Sequence, residues 1–218
     1  LRFAPNEKFY QQRRSRFILP SPNFVFNLSH TVGLENVLGG EFSYNKTSAA
    51  VTKQFWIAPF GKIYASVDAE KIWGEVPFPL LSSTNVNNSF TIQKGAFYQL
   101  EPLEFVGDQM VSWNCTWRMG GWIFNRIPFL KVLKLREVAG FRGFFGSLSD
   151  RNNPMSNRNV FQFPQNSYSM GSKPYMEYNI GIENILGFFR IDYVRRMNYL
   201  DHEGVRKSGI KISADVTF

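Results

Sequence analysis

Polar and apolar residues alternate with period two along most of this chain. In its final ten residues Ile210, Ile212, Ala214, Val216 and Phe218 fall on one side of an extended backbone, and Lys211, Ser213, Asp215 and Thr217 on the other. Successive strand side chains point to opposite faces, which makes this a two-faced strand. The pattern recurs. Val111, Trp113, Cys115, Trp117 and Met119 oppose Ser112, Asn114, Thr116 and Arg118. Ile63, Ala65, Val67, Ala69 and Trp73 oppose Lys62, Ser66, Asp68 and Glu70. Met176, Tyr178, Ile180 and Ile182 oppose Glu177, Asn179 and Glu183, and Phe189, Ile191, Tyr193, Met197 and Tyr199 oppose Arg190, Asp192, Arg196 and Asn198. Near the start, Phe24, Phe26, Leu28 and Val32 oppose Asn27, Ser29 and Thr31. About ten strands are expected, roughly 2–9, 23–33, 41–56, 62–74, 95–106, 109–122, 132–146, 174–184, 187–200 and 206–218. The third and fifth alternate poorly, and Pro102 predicts a bulge or an early end in the fifth. Helical periodicity is absent apart from a short turn around Phe129 to Leu135.

A final strand of this kind suits a soluble sandwich as well as a membrane barrel; length separates the two. Sandwich strands run about five or six residues, whereas several here reach ten or more, as a tilted membrane strand requires. Trp56, Trp73, Trp113, Trp122, Tyr175 and Tyr199 lie toward strand ends, where interfacial girdles stand. Glu137 and Arg195, on nominally apolar faces, are expected to snorkel at the interface. The expected fold is all-β, an antiparallel transmembrane β-barrel forming one domain over residues 1–218. Its ten or so strands are either complete or the C-terminal part of a larger barrel. Counting back from a periplasmic C-terminus places 201–205, 146–174, 107–109, 57–61 and 10–22 outside. It places 184–187, 123–131, 75–94 and 34–40 in the periplasm. The segment 75–94, with Pro77 and Pro79 around Phe78, is long for a periplasmic turn.

Composition sharpens this picture. Aromatic residues make up 17% of the chain while mean hydropathy is only −0.24, and no apolar run approaches the roughly 20 residues of a spanning helix. Cys115 is the single cysteine, so an internal disulfide or a cysteine-based metal cage is excluded. The chain begins at Leu1 with no Met and no leader, and it is read as processed or as a piece of something longer. A net charge of +8 fits a basic lumen or basic loops facing anionic headgroups. Nucleic acid is not expected, because no basic helix, RNP-like or zinc-finger pattern appears.

Three stretches carry a resemblance: Phe124-Asn125-Arg126-Ile127-Pro128-Phe129-Leu130-Lys131-Val132-Leu133-Lys134-Leu135-Arg136-Glu137-Val138, Gly181-Ile182-Glu183-Asn184-Ile185, and Phe188-Phe189-Arg190-Ile191-Asp192-Tyr193-Val194-Arg195-Arg196. With Tyr175 and the last strand, they resemble the C-terminal barrel of a Bacteroidota outer-membrane family. In that family a carboxypeptidase-regulatory-like domain precedes a membrane region of undefined function. The resemblance reaches back through Gly74-Glu75-Val76-Pro77-Phe78-Pro79-Leu80-Leu81 to Arg2-Phe3-Ala4-Pro5-Asn6-Glu7-Lys8-Phe9-Tyr10. It implies that the chain is the C-terminal part of a longer protein, and it supplies no catalytic residues, since the regulatory-like domain is a β-sandwich and not a peptidase. Phe141-Arg142-Gly143-Phe144 also resembles a loop signature of surface-antigen assembly barrels. Here it falls inside an alternating strand, and it is read as coincidence.

No active site assembles from the sequence. His30 lies on an apolar face and reads as structural. His202, in Asp201-His202-Glu203-Gly204, reads as part of a solvated turn, and no metal site or cofactor is implied. An outer-membrane hydrolase would need that histidine beside a serine or carboxylate at the lumen rim. Cys115 reads as a small hydrophobe. Gly39-Gly40 and Gly120-Gly121 lack the strand-to-helix context of a phosphate loop. The best candidates are lumen charges: Arg118, Lys134, Arg136, Arg142, Arg190, Arg196 and Lys211, with Asp68, Glu70, Glu177, Glu183, Asp192 and Asp215. Opposite charges can pair across a narrow interior and plug it. Ile210, Ile212, Val216 and Phe218 form the candidate assembly signal in the terminal strand. The expected function is an integral outer-membrane protein without its own catalysis, a structural, partner-binding or assembly-type subunit. Its expected partners are outer-membrane lipids, the barrel-assembly machinery and other outer-membrane proteins. The alternative is a channel or porin whose arginine-rich lumen favours anions.

Overall fold

The alternating stretches pair in chain order. In the computed structural model, which describes residues 1–19, 22–37, 39–158 and 160–214, the first strands are β1 (Arg2–Phe3), β2 (Phe9–Gln11), β3 (Arg16–Ile18), β4 (Val25–Gly33), β5 (Tyr44–Ile57) and β6 (Gly61–Trp73). There follow β7 (Ser82–Ser83), β8 (Val106–Gly107), β9 (Gln109–Arg118), β10 (Arg136–Ser147), β11 (Tyr175–Ile185), β12 (Phe189–Arg196) and β13 (Ser208–Ala214). Nine of them form one antiparallel sheet in the order β1-β4-β5-β6-β9-β10-β11-β12-β13, while β2 pairs with β3 and β7 with β8. Among the described residues the sheet is open, with β1 and β13 as its edges. The longest helix is the five-residue α1 (Pro128–Val132), where the sequence predicts a short turn. No described helix is long and apolar enough to cross a membrane.

Two expected strands are corrected. Residues 2–9 contribute only Arg2–Phe3 to the sheet. Residues 95–106 form no strand, and only Val106 begins the two-residue β8. Instead, Ala96, Phe97, Tyr98, Gln99 and Leu100 are buried in succession. A strand with one wet face cannot do that, because period two exposes every other residue. The segment 74–108 is therefore a single connection folded across one face of the sheet, here termed the inner face. β6 and β9 become neighbours, registered from Lys62↔Arg118 to Lys71↔Gln109.

Removing that strand changes the parity of everything upstream. Connections 34–43, 74–108, 148–174 and 197–207 all lie at one end of the sheet. The tight turns 58–60 and 186–188 and the connection 119–135 lie at the other. So 75–94 and 34–40 move to the end that carries 146–174, and 57–61 moves to the end that carries 184–187. The long connection that fits poorly as a periplasmic turn now sits with the other long loops.

The core lies between the inner face and the folded-in segment. Phe97, Leu100 and Phe105 pack on Met110, Phe144 and Tyr175, and Val76, Leu81 and Val106 pack on Ile72. Two glycines make room for polar neighbours. A Cβ at Gly140 would collide with the Asn179 side chain, and one at Gly181 with the Asp192 carboxylate.

Candidate functional site

The inner faces of β10 to β13 hold the folded-in segment mainly by its backbone. Lys211 Nζ donates to the carbonyl of Asn87 at 3.0 Å and also to that of Ser89. Arg142 donates to the Ala96 carbonyl at 2.6 Å and to Asn179 Oδ1 at 2.8 Å, with its guanidinium 4.3 Å from the centre of the Tyr98 ring. Glu177 accepts from the backbone N–H groups of Tyr98 (3.0 Å) and Gln99 (3.1 Å) and from the Tyr175 hydroxyl (3.0 Å). Arg196 grips Glu104 through two bonds of 2.9 and 2.6 Å and also reaches the carbonyls of Gln99 and Tyr199. Asp192 accepts from Arg190 at 2.8 and 2.6 Å and from Asn179 Nδ2 at 2.7 Å. A peptide segment has no ladder partner in this position, so side chains satisfy its buried N–H and C=O groups.

Two further devices fix the segment. Phe90 and Ile92 pair with the edge of β13, the Ile212 N–H donating to Phe90 at 2.8 Å and the Ile92 N–H to Ile212 at 3.0 Å. At the long-loop end, Asn152 accepts from the Val76 N–H at 2.9 Å and donates to the Gly74 carbonyl and to Asp108. Asp108 also accepts from the backbone N–H of Ser149. Glu104, Asp108 and Asn152 are absent from the sequence-based candidates. They lie in irregular segments where no periodicity marks them.

The expected lumen charges divide into three groups. Arg142, Arg190, Asp192, Arg196 and Lys211 are buried on the inner face. Arg118 is half-buried there, 3.5 Å from Glu183. Arg136 shares the inward face of β10 with Arg142 but is exposed at the strand's first residue, and Lys134 is corrected. Lys134 precedes that strand, in a turn with φ 52°, and its carbonyl accepts from Asn184. Glu137 does not snorkel; its carboxylate turns to accept from the N–H groups of Ile123 and Phe124. Ile210 and Ile212 point to the outer face of β13, whereas Val216, Phe218 and Asp215 lie outside the described residues. His30 bonds across the strands to Thr47 Oγ1 at 3.0 Å.

His202 stands where a hydrolase would need it, 2.8 Å from a Glu104 oxygen. Its ring stacks on Tyr168 at 4.1 Å. Among the described residues no serine, threonine or cysteine side chain bonds to it, and both Glu104 oxygens are held by Arg196. The pair therefore clamps the loop around His202 to the folded-in segment and supplies no nucleophile.

Glu104 also sets a pH dependence. Burial works against its charge, but the hydrogen bonds and charge of Arg196, with the His202 contact, outweigh it and hold the carboxyl below its ordinary value of 4.5. Such a group stabilises the fold above the ordinary carboxylate range and loses that contribution as pH falls through the depressed value. The stability gap between the wild type and Glu104→Gln is thus expected to be full at neutral pH and to close below about pH 4. Urea midpoints measured across pH check this, and a gap independent of pH contradicts it.

The described residues form an all-β protein: an open antiparallel sheet with one face polar, buried and bound to an inserted segment, and the other apolar and exposed. Residues 1–153 match the C-terminal domain of the family of unknown function DUF5686, and the chain belongs to that family. No curated protein matches the chain. The family description assigns no activity.

Proposed function

We propose that the chain forms wall and plug of an outer-membrane β-barrel and serves as a structural, partner-binding or assembly-type subunit without chemistry of its own. The carrying observation is inverted burial. On β6, β11 and β13 the outward Val67, Ile180 and Ile210 are 49, 56 and 63% exposed, while the inward Glu177, Asp192 and Arg196 are at most 1% exposed. A soluble protein places these residue types the other way round, and an apolar face spanning nine strands far exceeds an ordinary surface patch. Lipid covers such a face in a membrane barrel.

The outer face also has the right height. Lys53, opposite Ala65, and Lys71 mark its charged limits on β5 and β6. From position 65 to 71 is about 20 Å along a strand, comparable to the roughly 25 Å apolar band of such barrels. Between them Ala65, Val67 and Ala69 present no charge. Open edges are not tolerated in hydrocarbon, so the membrane form needs further strands between β1 and β13. That agrees with a C-terminal portion of a larger barrel in a Bacteroidota protein carrying a regulatory-like domain. In this reading the long loops face outward, and the terminal strand engages the assembly machinery.

A hollow of about 880 Å³ beside the plug, lined by Ser29, Ser48, Ser66, Asp68 and Ser112 among others, keeps the channel as a second reading. Single-channel recording of the full-length protein in a planar bilayer separates the two. Silence from verifiably inserted protein is expected; steady anion-preferring current overturns the plugged reading in favour of the channel.

A further inference from the structure

A second, smaller hollow of about 210 Å³ lies between β6, β9 and the folded-in segment. Arg118, Arg142, Arg190 and Lys94 all line it, together with Asn114, Thr116 and two tyrosines, and no acidic side chain does. A single water occupies about 30 Å³ in the liquid, so this space takes a polyatomic ion with part of its hydration.

Several donors around it are unspent. Asn114, Thr116 and Arg118 follow one another at period two on the inner face of β9, and among the described residues their side chains make no hydrogen bond; Arg118 approaches Glu183 at 3.5 Å and lies 5.9 Å from the centre of the Tyr64 ring. Arg142 is 5% exposed, and its Nε has no hydrogen-bond partner, since Glu177 stays 3.6 Å away. Arg190 turns Nε and Nη2 to Asp192, and among the described residues its Nη1 makes no hydrogen bond. Lys94 is exposed and makes no ion pair among the described residues. Three carboxylates, Glu177, Glu183 and Asp192, stand near the three arginines, which leaves the charge of Lys94 uncompensated. Planar guanidinium forks match tetrahedral oxyanions, and buried donors without partners are costly until something accepts from them.

We propose that this hollow is a binding site for a small tetrahedral oxyanion, phosphate or sulfate, either free or at the end of a larger molecule. Arg118 and Lys94 supply the charge, and Asn114 and Thr116 supply neutral donors. Arg142 couples the anion to the plug, because the same guanidinium holds the Ala96 carbonyl. The site depends on the inner face and the segment folded across it, and it goes beyond the membrane reading, so it stands or falls separately.

The test is calorimetric titration of the full-length protein, in a non-ionic detergent at constant ionic strength, with inorganic phosphate against a chloride control. Saturable phosphate binding is expected in the wild type. Lys94→Gln with Arg118→Gln is expected to weaken it at least tenfold, and Asn114→Ala, which leaves the charge unchanged, several-fold. Neither variant touches the bonds that hold Asn87, Ala96, Tyr98 or Glu104, and an unchanged urea midpoint verifies their folding. Glycerol phosphate binding as tightly assigns the site to an esterified phosphate, and its rejection assigns the site to the free ion. No saturable binding to folded wild type, or equal binding in the variants, overturns the proposal.

Discussion

Val67→Arg is expected to cost the inserted protein about 2–4 kcal/mol, the penalty for an arginine on the lipid face near the bilayer midplane. Its neighbour Ser66→Arg is expected to change stability by less than about 1 kcal/mol, since lumen-face substitutions escape that penalty. The two positions are adjacent on β6 yet face opposite ways. Val67 is outward and half-exposed, and Ser66 borders the large hollow. Both variants add the same residue and charge on one strand, and the propensity difference between Val and Ser is within about 1 kcal/mol, so a larger gap reports the face. Denaturant titration in phospholipid vesicles reads the difference, and equal effects at both positions overturn the lipid-facing assignment.

Arg196→Met is expected to be the most damaging change on the inner face. It leaves Glu104, 2% exposed, as a buried carboxylate without its guanidinium. Breaking a buried pair from one side costs about 3–5 kcal/mol, whereas replacing both partners by apolar groups is often close to neutral. Arg196→Met alone should therefore free the folded-in segment and expose 74–108 to limited proteolysis. Arg196→Met with Glu104→Met should restore much of the protection. A double variant as sensitive as the single one would show that the pair does more than satisfy its own charges. Protection unchanged in the single variant would show that the other anchors suffice.

Most of the sheet was legible because period two reports directly which residues share a face. It located β4, β6 and β9 to β13, and it set Arg142, Arg190, Asp192, Arg196 and Lys211 on one face of their strands. Alternation carries no information about what lies against that face. Glu177 meets Tyr98 across 79 positions of sequence, and nothing local to either residue announces the contact. The run Ala96-Phe97-Tyr98-Gln99-Leu100 does hold a local clue, because consecutive burial is incompatible with a two-faced strand. Its reading as a strand then put the connections 75–94, 57–61 and 34–40 at the wrong end. Lys134 failed for a simpler reason: alternation says which side a residue takes, not where its strand begins.

The charged anchors on β10 to β13 all come from later chain than the groups they hold. Arg142, Glu177, Arg196 and Lys211 follow the groups they hold by 46, 79, 92 and 124 residues respectively. Such non-local contacts bear a loop-closure cost before they return any stability, which slows folding. During synthesis, residues 74–108 emerge with none of these partners in existence. They stay a solvated loop until β10 to β13 are in place. Closure of the interior therefore requires all four strands, and a chain cut short of them is left with its inside open to water.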